Sequence, residues 1–340
     1  MATIAATVLT MADWAKSIDP DGKVAATVEL LSQDNEVLTD MLFKEGNLPT
    51  GEQTSIRTGL PTVYYRLINQ GTPKSKSTKA QVTENAAILT ARSEIDVDEA
   101  ELNGNTNQFR MDEATAFVEA MSQQMATTLF YGSAANPEQF VGFTPRYNTL
   151  GATNAQNILV AGGTGGGSVY SSIWLVNWGQ RSVFGVFPKG SSAGISHEDL
   201  GVGDAFDSSN DRFRAYMDEW KWKNGLVVKD WRHAVRIPNI DITALLAKTG
   251  TQAITAATSI DKLMARAIDR IPKGGRTNLA FYVNKTIASH LRLIAMDRST
   301  GAVTIEPAIN QWGDTIHQLT FLGVPVRIVD ALTQTEAEAV

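Results

Sequence analysis

The sequence predicts an α+β fold, and three observations carry that prediction. Residues 52–98 read as two extended arms around a tip rich in Pro, Gly and Lys, with apolar alternation at Ile56, Val63, Tyr65 and Leu67 and again at Ile88, Ile95 and Val97. That period of two favours strand over helix. Residues 111–131 instead carry Ala114, Phe117, Val118, Met121, Met125 and Leu129 at the spacing of an amphipathic helix. From residue 171 onward, strand-like and helix-like segments alternate without a fixed repeat.

Taken in order, residues 1–51 form an arm. Asp19, Pro20, Asp21 and Gly22 make a turn, and a helical pattern runs from Val24 to Phe43 with Val28, Leu31, Asn35, Leu38 and Leu42 on one stripe. Gly46, Pro49 and Gly51 break it. Residues 52–98 follow as a β-ribbon whose arms of about 15 residues would project about 50 Å. Gly71 and Pro73 turn the chain at its tip, where Lys74, Lys76 and Lys79 are solvated charges. The ribbon has too few apolar residues for a core of its own. An isolated ribbon is marginal in water, so its ordering points to neighbouring subunits.

Residues 99–170 hold a polar hinge, then the helix over 111–131, with Asp112 and Glu113 near its positive end and Gly132 as its stop. A loop-rich stretch to residue 170 includes the run Gly162–Gly167. Residues 171–340 form a mixed α/β part. Strands are expected at Ser172–Trp178, Ser182–Phe187, Phe213–Trp222, Leu226–Arg236, Leu279–Val283, Val303–Ile305 and Thr315–Val329. Helices are expected at Ile242–Lys248, Ile260–Ile271 and Lys285–Met296.

Composition excludes several classes. The chain of 340 residues has 43% hydrophobic residues, enough for substantial cores. It has no Cys, which removes disulfides, thiolate metal sites and a cysteine nucleophile. A net charge of −6 argues against coating nucleic acid as the main task. No apolar run approaches the roughly 20 residues of a membrane helix, and the start lacks the basic segment of a secretory signal. The expected place of the chain is therefore the cytosol.

Candidate chemistry is weak. The run Gly162–Gly167 is followed by Ser168, Val169 and Tyr170 rather than Lys-Ser or Lys-Thr opening a helix, so it reads as a surface loop and not a phosphate cradle. His197, Glu198 and Asp199 read as a structural loop, because no His-Glu-x-x-His spacing accompanies them. No serine lies in a Gly-x-Ser-x-Gly turn. Trp220, Lys221, Trp222 and Lys223 interleave aromatics with bases, and strand alternation puts both Trp on a buried face. Met111, Met121 and Met125 read as core packing. No catalytic residue, cofactor site or metal site is expected.

With the elements placed, their order resembles a tailed-bacteriophage major capsid protein of the Hong Kong 97-type fold. Local phrases carry the likeness: FYGSAANPEQFVGFTPRYN, SSIWLVNWGQRSVFGVFPKGSSAGISHEDLG, and LTFLGVPVRIVDAL with Gly323, Pro325 and Asp330. The resemblance implies an N-terminal arm (1–51), an extended β-hairpin loop (52–98), a peripheral part with its long spine helix (99–170) and a mixed axial domain (171–340). It implies a structural subunit of an icosahedral phage head, forming hexamers and pentamers around a genome that it does not recognise specifically. Partners would be many copies of itself, a separate scaffolding protein, a portal and a decoration protein, since a fused scaffolding segment has no room before the arm. Some members of the family join subunits through a loop Lys and a neighbour's Asn; Lys74, Lys76 and Lys79 are in a suitable region, but no Asn is singled out. Tyr64, Tyr65, Arg66 and those three lysines are the expected contact residues. Phe117, Val118, Met121 and Met125 are the expected core of the spine helix. The alternatives are another virion ring or tail protein, or a cytosolic phosphate-binding enzyme with a lid ribbon.

Overall fold

A computed structural model describes residues 33–101, 106–162, 169–206, 210–246, 260–274, 276, 278–296, 303–309 and 315–339. The turn at Asp19–Gly22 and the stripe positions Val28 and Leu31 lie outside them. Strand β5 (Tyr170–Trp178) organises the molecule, and all nine of its residues are buried. Its antiparallel neighbours are β9 (Ala234–Asp241) and β10 (Asn278–Val283). Beyond β10 lie β13 (Val324–Ile328), β12 (Thr315–Phe321) and β11 (Val303–Ile309). On the other side β6 (Val183–Phe187) links to β1 (Phe43–Glu45) and to the long β8 (Arg212–Val228). The outer part of β8 runs between β4 (Ala87–Asp96) and β7 (Ile195–Phe206).

Because side chains alternate across a strand, β5 serves two cores at once. Trp174, Val176 and Trp178 join one, packed with Met121, Met125, Leu129, Phe130 and Phe143. Ile173 and Leu175 join the other, beneath two helices, α6 (Ile260–Arg270) and α7 (Lys285–Met296). Ile260, Leu263, Met264 and Ala267 form the buried stripe of α6 at i, i+3, i+4 and i+7. Chain reversal between β12 and β13 uses Leu322 and Gly323, both at positive φ. The remaining helices are short, α1 (Val37–Asp40), α2 (Val97–Glu101), α4 (Phe143–Arg146) and α5 (Ile242–Leu246), apart from α3 (Thr106–Tyr131).

Several sequence expectations need correction. Within residues 33–45 only Val37–Asp40 is helical; Asn35 bridges to Val329 and the chain is extended by Phe43. Asn35 Oδ1 accepts from the Ala331 N–H at 3.2 Å, so a polar stripe position serves the C-terminal segment rather than a helix face. The long helix α3 begins at Thr106, which puts Asp112 and Glu113 past its first turn. Gly132 follows its last residue, Tyr131, as expected, and a Cβ there would meet the Phe140 carbonyl oxygen at 2.3 Å, so the chain beyond the helix passes too close for a side chain. Asn224 and Gly225 do not break a strand. They let β8 continue while Ala86 and Asn85 pass within 3.0 Å of the place a Cβ would take. His197, Glu198 and Asp199 belong to strand β7, with a bulge between Asp199 and Gly201 where φ is +76°.

Candidate assembly interface

The ribbon consists of β2 (Gly51–Gly59) and β3 (Thr78–Asn85), paired from Gly51↔Asn85 to Gly59↔Thr78. Its second arm is therefore not the segment around Ile88 and Ile95. That segment is β4, and it pairs with β8 in the main sheet. Ile95 is buried there while Ile88 faces out at 63% exposure, because one is in phase with the core and the other is not. Arms of nine and eight residues span about 30 Å rather than 50 Å.

The root of the ribbon is anchored on both strands. Arg146 on α4 grips Glu84 of β3 through two hydrogen bonds of 2.5 and 2.7 Å, and its Nη2 also donates to the Val141 carbonyl. On β2, Glu52 accepts from the Asn47 N–H at 2.9 Å and pairs with Lys229 at 2.9 Å. Burial alone would raise the Glu52 pKa, but the Lys229 ammonium and the Asn47 N–H outweigh it and hold the carboxyl below its ordinary range. Gly51 at the hinge has φ +149°, and a Cβ there would lie 2.0 Å from the Glu84 carbonyl oxygen. Only glycine allows the two strands to start so close together.

Beyond Gly59 the pairing stops. Residues 60–76 are solvent-exposed throughout and carry no strand, so Val63, Tyr65 and Leu67 alternate without a sheet to lie on. Leu60, Val63, Tyr65, Leu67 and Ile68 are each 72% exposed or more, and Tyr64 is 51% exposed. Arg66, Lys74 and Lys76 are exposed beside them. Lys79 lies in β3 rather than at the tip and stands directly opposite Arg57, a like-charge pair that disfavours the isolated ribbon. Between residues 53 and 83 the sequence has five bases and no acid. This apolar, basic loop is left exposed by the subunit that carries it.

The spine helix α3 packs against β4 and β8 of the main sheet. Met121 and Met125 are 3% and 1% exposed, and Phe117 is half-buried and stacks on Trp220 with ring centroids 5.0 Å apart. Val118 is 39% exposed and Met111 65% exposed, so neither is core. The buried side of the helix shifts along its length, and these two positions face solvent where the sheet no longer covers it. Arg110 donates to both carboxylate oxygens of Asp218 at 2.8 and 3.0 Å, and His197 Nε2 lies 2.9 Å from Asp218 Oδ1. Trp220 and Trp222 are buried while Lys221 turns outward to Glu219. The C-terminal segment is locked by Glu336, which pairs with the buried Arg236 at 2.9 Å and accepts from the Tyr131 hydroxyl at 2.5 Å. Burial first, and then the Glu336 charge, push the Tyr131 pKa up.

The root anchors escaped sequence reading because Glu52, Glu84, Arg146 and Lys229 lie far apart in the chain and form no spaced motif. No group of three or more metal-ligating side chains occurs among the described residues. His233 contacts Asn177 at 2.8 Å within the core. Gly162 is followed at Tyr170 by strand β5; residues 163–168 lie outside the described residues.

A fold with two cores on one sheet, a spine helix and a projecting ribbon defines a shell-forming subunit. The model of the family "Major capsid protein GP7" matches residues 19–340, and the chain belongs to that family. It is similar to a solved chain of bacteriophage Epsilon15, with 31% identity, a TM-score of 0.76, and coverage of 100% of this chain and 99% of that one. The bacteriophage JBD30 capsid is more distant, at 8% identity and a TM-score of 0.47 over 90% of this chain and 93% of that one. No curated protein matches. The chain has the Hong Kong 97-type fold and is a virion component, a structural subunit of an icosahedral phage capsid built from many copies of itself. Ring-protein, tail-protein and enzyme readings yield to this assignment.

Proposed function

We propose that the ribbon and its loop close the shell by lying over a neighbouring subunit. One observation carries this reading: residues 60–68 expose six large apolar side chains on a stalk that the rest of the subunit anchors but does not cover. In this reading residues 1–51 are an arm, residues 52–98 the extended loop with its return strand, residues 99–170 the peripheral part and residues 171–340 the axial domain. Copies associate as hexamers and pentamers in the host cytoplasm around a separate scaffolding protein, with a portal and a decoration protein as further partners. Tyr64, Tyr65 and Arg66 are the contact anchors, and Lys74, Lys76 and Lys79 meet acidic groups. Each exposed ion pair contributes about 1 kcal/mol or less, and simultaneous engagement of many contacts supplies the rest as avidity. The negative net charge keeps packaged DNA from adhering to the wall.

Hydrogen exchange on dissociated subunits and on shells tests the reading. Residues 60–77 should exchange freely in the subunit and become protected in the shell. Strong protection in the free subunit would reject it.

A further inference from the structure

A groove of about 390 Å³ opens between the start of β4 and the second half of α3, beside the ribbon root. Ala87, Leu89, Met125 and Phe140 give it an apolar floor, and Glu138 stands exposed at its edge. One feature of the floor has no explanation within the subunit. Asn224 is 2% exposed, and its Nδ2 has no hydrogen-bond acceptor. A buried donor left unpaired is costly, and here it borders an open space of a size that takes an aromatic ring. The site therefore fits an amphipathic group with an apolar body, an oxygen at its end and a positive charge alongside.

We infer that this groove receives Tyr65 of a second copy of the chain, with Arg66 of that copy meeting Glu138. This rests on the proposed role of the ribbon and names the receiving site. Tyr65 is fully exposed, whereas Tyr64 is only half so, which leaves Tyr65 the freer aromatic of the two, and with no strand there Arg66 can turn to the same side. A phenol supplies both the apolar ring and the acceptor for Asn224. The ribbon also excludes the subunit's own loop. Asn85 at the root adjoins Ala87 in the groove, while the loop begins a full arm away, about 30 Å out. Charge agrees, because the loop brings the bases Arg66, Lys74 and Lys76 and no acid to a rim whose charged residue is Glu138.

The absence of Cys from the chain makes the test clean. Tyr65→Cys, at an exposed position, combined with Gln139→Cys, at a half-buried one on the groove lining, should give disulfide-linked oligomers from assembled shells on non-reducing gels, and only monomer from dissociated subunits. Separately, Glu138→Lys should lose closed shells, and adding Arg66→Glu should restore them. Normal shells that stay monomeric on the gel, together with no loss or rescue from the charge exchange, would overturn the docking site while leaving the ribbon's role standing. Normal shells from a chain whose residues 61–76 are replaced by a short Gly-Ser turn would overturn the role itself.

Discussion

Strand β5 and the loop beyond β2 are both rich in large apolar side chains, yet one buries all nine of its residues and the other exposes almost everything. Apolar content alone therefore does not say what a segment is for. The difference is coverage. β5 has neighbours on both edges and a core on each face, so its side chains stabilise the subunit. The loop at residues 60–77 has neither, and in the proposed reading its side chains stabilise the assembly instead. Between the two, the ribbon root is the transition, anchored by charge rather than by core.

The largest effect should come from attacking the buried side of this contrast. Met125→Asp places an unpaired charge at a position 1% exposed and should cost several kcal/mol, enough to abolish soluble subunit. Soluble recovery and circular dichroism check it; a folded Asp variant would remove Met125 from the core.

Next comes the root. Arg146→Ala frees the Glu84 carboxylate and the Val141 carbonyl, and should lower subunit stability by about 1–3 kcal/mol. It should reduce shell yield more than stability, because the stalk loses its fixed direction. Denaturant melts and particle counts on the same preparation separate the two. The root also has a pH signature. Glu52 has a lowered folded-state pKa, so its stabilisation is fully present above the ordinary glutamate value and is lost as pH falls through the lowered one. Acidification should loosen the β2 end of the root, and Glu52→Gln should flatten that part of the acid profile.

The smallest effect is expected at Val118. It is 39% exposed, so Val118→Ser should shift stability by about 0.5 kcal/mol or less. A loss above 2 kcal/mol would return it to the core of the spine helix.

Sequence periodicity reported local order well and partnership poorly. Helices α6 and α7 and strands β5 and β10 were legible because each is written in contiguous residues, whereas the expected strand Thr315–Val329 is divided into β12 and β13 by the turn at Leu322 and Gly323. The pairing of β2 with β3 rather than with β4 was not legible, because both candidates alternate and only the main sheet decides which one it takes. Strand β7 was hidden by His197, Glu198 and Asp199, which contact Asp218, Lys221 and Arg110 respectively rather than solvent alone. Val118 was misplaced because the stripe assumed one constant buried face along α3. The exposed loop was legible only as part of a ribbon with too few apolar residues for a core of its own.

The most direct test of the central claim replaces residues 61–76 with a short Gly-Ser turn and measures the same protein twice. Circular dichroism melting should give a subunit with a near-normal melting temperature, and electron microscopy should find no closed shells. Normal shells from the shortened chain, or a subunit that no longer folds, would contradict the account.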